Sequence, residues 1–151
     1  MKTSDVALLD VSVLIALLDA GHSNHQTAHD WFADHGDRGW ATCPIVENGV
    51  VRILGNAVRV DDAVPIPKLL QMLSAFRQAH RHHFWSDDVS LCDRDRFDVD
   101  AIRGHQQITD IYLVGLAVKN DGRFVTFDQR VPLAAIKGAR PEHLEVIAPA
   151  E

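Results

Sequence analysis

The stretch Val6-Ala7-Leu8-Leu9-Asp10-Val11-Ser12-Val13-Leu14-Ile15 sets one carboxylate between two apolar runs. Four apolar residues ending at a charge suit a short buried strand, and the run from Val11 to Leu18 suits the helix that follows it. Asp10 therefore stands where a strand hands over to a helix. An ionised carboxylate in that position carries a heavy desolvation cost unless a cation, hydrogen bonds or water compensates it. The same arrangement recurs near the other end of the chain, where Asp128 follows Phe124-Val125-Thr126-Phe127.

Working outward, a second helix is expected from Asn24, an acceptable N-cap, through Ala28, Trp31 and Phe32 to the Gly36-Asp37 break. Trp40-Ala41-Thr42 reads as a short strand. Pro44 suits the first turn of a helix that runs to Leu54 and stops at Gly55-Asn56. Arg59 to Pro67 reads as a loop, Lys68 to Ala79 as a helix, and His83-Phe84-Trp85 as a short strand. From Ser86 to Gly104 the charge density marks a surface segment with a short helix near Val99 to Arg103. Thr109 is then expected to cap the most apolar helix, Asp110 to Val118, which is apolar around almost its whole circumference and should be central. A short helix over Leu133 to Ile136 and a last strand over Leu144 to Ile147 complete the pattern. Strands alternating with helices predict an α/β fold, a three-layer α/β/α sandwich with a mainly parallel central sheet.

In such a fold, strand ends and the helix starts that follow them gather along one edge of the sheet. Asp10 and Asp128 are strand-end residues, and Glu47 and Asp110 lie in the first turns of helices. On a helical wheel Glu47 shares the stripe of Val50, Val51 and Leu54, while Asp110 shares that of Leu113, Val114 and Ala117, so both acids point inward. A reading in which all four merely cap helices or complement helix dipoles explains less, because a dipole partner is free to sit on the solvent side. Two carboxylates about 5 Å apart repel by roughly 3 kcal/mol at an effective dielectric near 20, a strain that a divalent cation removes. All-oxygen ligands favour Mg²⁺ or Mn²⁺ over zinc. The hydroxyls of Ser12 and Thr109 stand beside two of the acids, placed to orient them or a metal-bound water, with plain capping the simpler role for Thr109.

Length and composition narrow the remaining classes. With 151 residues, 46% of them hydrophobic, the chain is expected to form one domain with a proper core. A formal charge of −6 gives no global field for nucleic acid, so any such contact must come from a local patch. Cys43 and Cys92 read as free thiols of a reducing compartment. The apolar run Val11 to Leu18 is too short to span a bilayer, and the first residues lack signal-peptide character, so a cytoplasmic location is expected. His22, His25 and His29 share a helix face, but no Cys or buried acid completes a zinc set, and a solvated helix entry is expected. His80-Arg81-His82-His83 with Trp85, Arg52, Arg59, Lys68 and Arg77 offers a weak basic and aromatic surface for RNA or an ordinary solvated face. Trp31 and Phe32 read as core or partner-groove residues.

The segments Leu8-Leu9-Asp10-Val11-Ser12-Val13-Leu14-Ile15-Ala16-Leu17, Thr42-Cys43-Pro44-Ile45-Val46-Glu47, Ile108-Thr109-Asp110-Ile111-Tyr112-Leu113 and Val125-Thr126-Phe127-Asp128, taken in that order, resemble the PIN-domain ribonucleases. In particular they resemble the toxin component of VapBC-type toxin and antitoxin pairs. The resemblance implies a PIN-like fold over residues 1–151, with Asp10, Glu47, Asp110 and Asp128 as catalytic, metal-binding acids and Mg²⁺ or Mn²⁺ as cofactor. It also implies an RNA substrate, a homodimer, and a small antitoxin that docks in a groove and blocks the site. Metal-activated water would attack the phosphodiester in line and leave a 5′-phosphate. Gln129-Arg130 follows Asp128 where relatives vary, and one tight metal with a second recruited by RNA is expected. A haloacid-dehalogenase-like phosphatase needs a second Asp two residues after the first, where Ser12 stands. A receiver-type phosphoacceptor wants an acidic pair before the acceptor strand and a Lys near the end, and neither stands out here. The non-enzymatic alternative is a catalytically silent PIN-like binding module.

Overall fold

The computed structural model describes residues 5–56 and 64–148. Five strands form one sheet in the order β3-β2-β1-β4-β5, and every pairing is parallel. They are β1 (Ala7–Leu9), β2 (Trp40–Thr42), β3 (His82–Phe84), β4 (Arg123–Thr126) and β5 (Leu144–Val146). The main helices are α1 (Val11–Leu18), α2 (His25–His35), α3 (Pro44–Leu54), α4 (Ile66–Arg77) and α5 (Ile108–Lys119). β1 and β2 are buried throughout, which is why they read as unbroken apolar runs rather than as an alternation.

The strand order locates the functional edge. From β1 the chain steps one way to β2 and β3, then returns across the sheet to β4 and β5. Right-handed crossovers in opposite directions place their helices on opposite faces, so α1 to α4 cover one face and α5 covers the other. The direction reverses between β1 and β4, and a crevice opens at the carboxyl ends of those two strands. Asp10 lies in that crevice: its N–H donates to the Val125 carbonyl at 2.9 Å, continuing the β1/β4 ladder past Leu9.

Packing accounts for the tight fit of the helices. A Cβ on Gly49 would stand 2.8 Å from a methyl of Val11, so a bare backbone is what lets α3 approach α1. A Cβ on Gly115 would stand 2.4 Å from the Phe97 ring. Phe97 is almost fully buried and Val89 is buried too, so the stretch from Ser86 to Gly104 is not the plain surface segment its charge suggests. Two apolar anchors pull a charged loop onto α5. Trp31 and Phe32 are core residues; Phe32 and Phe76 pack against the buried Trp40.

Most expected elements stand within two residues of their observed bounds. α4 begins at Ile66 with Pro67 in its first turn, earlier than Lys68, and positions 59–63 of the expected loop lie outside the described residues. Helix α5 begins at Ile108, so Thr109 is inside the helix and Gln107 takes the cap position. The three-residue 3₁₀ turn at His105–Gln107 starts the winding early, which removes the capping role expected of Thr109. His25 and His29 do more than decorate a solvated entry: their rings bond the Ala16 and Leu17 carbonyls at 2.7 and 3.0 Å, closing the C-terminal end of α1.

Candidate active site

Asp10 caps α1, its Oδ1 accepting the Val11 N–H at 2.7 Å. Its Oδ2 accepts hydroxyl hydrogen bonds from Thr126 at 2.6 Å and Ser12 at 3.2 Å. The Thr126 hydroxyl is fully buried and also accepts the Asp128 N–H at 3.1 Å. One hydroxyl thus ties the ends of β1 and β4 together and fixes two aspartates. Sequence reasoning passed over Thr126; the signal for it is a lone hydroxyl at the end of a buried apolar strand. Asp128 turns back on its own loop, Oδ1 accepting the Arg130 N–H at 2.8 Å and facing the Arg130 Nε at 3.3 Å.

Asp110, in the first turn of α5, meets this pair from the opposite layer. Asp10, Ser12, Asp110 and Asp128 line one cavity of about 570 Å³. Asp110 and Asp128 also line an adjoining cavity of about 350 Å³ with Arg103, Gln106, Gln107 and Arg130. Burial, followed by the charges of Asp10 and Asp128, pushes the Asp110 carboxyl up to about 7. Burial also raises Asp10, opposed by its bonds from Thr126, Val11 and Ser12, with Asp128 adding a smaller upward push.

Glu47 is placed differently. Its Oε2 accepts the Thr42 hydroxyl at 2.6 Å and lies 3.4 Å from the Arg77 guanidinium, and it lines neither cavity. Thr42 also contacts His82 Nε2 at 2.7 Å. Because the hydroxyl proton goes to Glu47, that contact requires the ring to donate, which assigns the Nε2–H tautomer. Burial, with help from Arg77 and His83, holds His82 down near 4. Thr109 is exposed and lines neither cavity. So three of the four predicted acids and Ser12 come together, while Glu47 is engaged one strand away.

The donor set is all oxygen and strongly anionic, which fits a hard divalent cation. Among the described residues, no three acids, histidines or cysteines converge closely enough to grip one ion as the side chains stand. Burial first, then the charges of Asp10 and Asp128, raise the Asp110 carboxyl, and a bound cation would oppose both effects. The group therefore fits a cation in charge and donor type, with closure left to the side chains.

The PIN domain family model matches residues 7–137. The chain belongs to the PIN-domain family. Similar curated proteins include the ribonucleases VapC44 and VapC39 of Mycobacterium tuberculosis. The first is 41% identical over 141 residues, covering 93% of this chain and 99% of the relative. The second is 40% identical over 132 residues, covering 87% and 95%. Two solved structures share the fold. One is a VapBC2 complex of Rickettsia felis bound to a fragment of its promoter DNA, with TM-score 0.58 and 12% identity over 84% of this chain and 93% of that one. The other is M. tuberculosis VapC20, a sarcin-ricin loop cleaving toxin, with TM-score 0.57 and 18% identity over 89% and 99%. Among the described residues of this PIN domain, no helix is long and apolar enough to cross a membrane.

Proposed function

We propose that this single PIN domain is a metal-dependent endoribonuclease, the toxin of a type II toxin-antitoxin pair, acting in the cytoplasm as a homodimer restrained by a small antitoxin. The observation that carries the reading is the concentration of Asp10, Asp110 and Asp128 around one cavity, with the Asp110 carboxyl raised to about 7 by burial and by its two neighbours. The ribonuclease names of relatives similar over most of the chain supply the substrate class.

Asp10, Asp110 and Asp128 would hold Mg²⁺ or Mn²⁺, with Glu47 joining from the first turn of α3. A bound divalent cation activates water and stabilises the leaving oxygen of an in-line displacement. The chain's own part is orientation. Val11, Ser12 and Thr126 pin both oxygens of Asp10, and Thr126 sets the Asp128 backbone. The raised Asp110 carboxyl holds its proton near neutrality and releases it when positive charge arrives. Arg103 and Arg130, in the adjoining cavity, supply positive charge where a phosphodiester approaches the acids. Ser12 steadies Asp10, and Thr109 stays a hydroxyl beside Asp110, not a helix cap.

The test is 5′-end mapping of total RNA incubated with purified protein and Mg²⁺ or Mn²⁺, against Asp110→Ala. Discrete metal-dependent cuts made by wild type alone support the reading. Identical profiles would leave a silent PIN-like binding module.

A further inference from the structure

Phe84 ends the edge strand β3 with 49% of its surface exposed, at the same carboxyl edge of the sheet as the acids. Its register partner is Thr42, so it stands two strands from β1, about 10 Å across the sheet. A single exposed ring on an edge strand is ordinary. Its surroundings are not. The Arg77 guanidinium lies 5.1 Å from the ring centroid while its Nη1 faces Glu47 at 3.4 Å. Beside it opens a polar cavity of about 250 Å³ lined by Ser74, Arg77, Gln78 and His82.

We infer that Phe84 and Arg77 form a substrate subsite that stacks one base of single-stranded RNA on the Phe84 ring and holds its phosphate with Arg77. The inference rests on the ribonuclease reading and extends it from the cut to the grip. Unstacked RNA bases lie on aromatic rings and guanidinium planes, and every base has a face to offer. A guanidinium carries five donors, so the one turned to Glu47 leaves others for a phosphate. The chain's net charge of −6 repels a polyanion overall, so the grip must come from such a local cation. His82, held neutral near 4, presents a hydrogen-bonding ring to the cavity without adding charge. Because Arg77 bridges the ring and Glu47, the subsite continues into the acid edge rather than standing apart from it.

The test is fluorescence anisotropy with a short, labelled single-stranded RNA of mixed sequence, with EDTA present so that the RNA stays intact. Phe84 is the cleaner probe, since Arg77 also contacts Glu47. Phe84→Ala should weaken binding about tenfold, Phe84→Tyr should restore it, and Phe84→Leu should not. In cleavage assays with metal, Phe84→Ala should raise KM and leave kcat near wild type. Equal binding by Phe84→Ala, or full rescue by Phe84→Leu, overturns the subsite. So does an altered solution mass of Phe84→Ala at unchanged RNA affinity, which would assign the ring to a protein contact. Cleavage without Phe84-dependent binding would remove the subsite and leave the ribonuclease reading. Phe84-dependent binding without cleavage would do the reverse.

Discussion

The two halves of the sheet edge use one device with opposite electrostatics. At the end of β4 the buried Thr126 donates to Asp10 at 2.6 Å, and at the end of β2 the buried Thr42 donates to Glu47 at the same distance. Beyond the hydroxyl they part. Asp10 faces further carboxylates, whereas Glu47 faces Arg77. On the β2/β3 side the partly buried Arg77 stands against Glu47; on the β1/β4 side Arg130 is largely exposed and pairs with Asp128, leaving Asp10 and Asp110 facing carboxylates. Glu47 is partly neutralised within the chain, whereas Asp10 and Asp110, facing carboxylates, call for positive charge from outside.

The largest break in that contrast is Asp110→Asn. Cleavage should fall on the order of a hundredfold or more, beyond the loss typical of a supporting residue. Above pH 7, where Asp110 ionises, the metal-free variant should melt higher than wild type, because a buried charge facing Asp10 and Asp128 is gone. Thr126→Val should weaken Mn²⁺ binding about ten- to a hundredfold by calorimetry, as an orienting partner does. Thr42→Val should instead show itself in urea unfolding, at about 1–3 kcal/mol, because it strips a buried partner from Glu47 and His82. Equal metal affinity loss in both threonine variants would erase the contrast.

The pH dependence separates the halves by sign. Folded Asp110 keeps its proton to about 7 against a usual value of 3.8, so its stability contribution is full below 3.8 and is lost as pH rises through 7. Folded His82 gives up its proton near 4 against a usual 6.5, so its contribution is full above 6.5 and is lost as pH falls through 4. Without metal, the melting temperature of Asp110→Asn minus wild type should rise from pH 4 to 7. The same difference for His82→Asn should fall from pH 4 to 6.5. The smallest effect is on stability in Arg77→Gln, about 1 kcal/mol or less for a partly exposed pair. That variant makes the β2/β3 side resemble its counterpart, and Mn²⁺ titration should show tighter binding.

Much of this arrangement is legible in the sequence because it is local. β1, α1, β2 and α3 follow from short apolar runs, a carboxylate and a proline, and Asp10 follows from its place between two of them. What escapes is set by distance. Nothing near Glu47 announces Arg77, thirty positions on, which reaches it only because α4 packs on α3. Thr126 hides because a strand-end hydroxyl looks like any β-former until Asp10 is beside it. Thr109 misleads because Ser and Thr are strong caps, and only the preceding 3₁₀ turn shows that the helix has already begun. Phe97 is masked by the charges around it; its slot is opened by Gly115, eighteen residues later.

Helix α1 is only eight residues long, too short to persist alone in water. Asp10 holds its first amide, while His25 and His29 hold two of its last carbonyls. The helix is therefore clamped from both ends by residues outside it, and its amides should exchange with solvent as one slow block. The aspartate expected to meet the cation is also the bolt of that block, so occupancy of the site is written into the exchange rate of the whole helix.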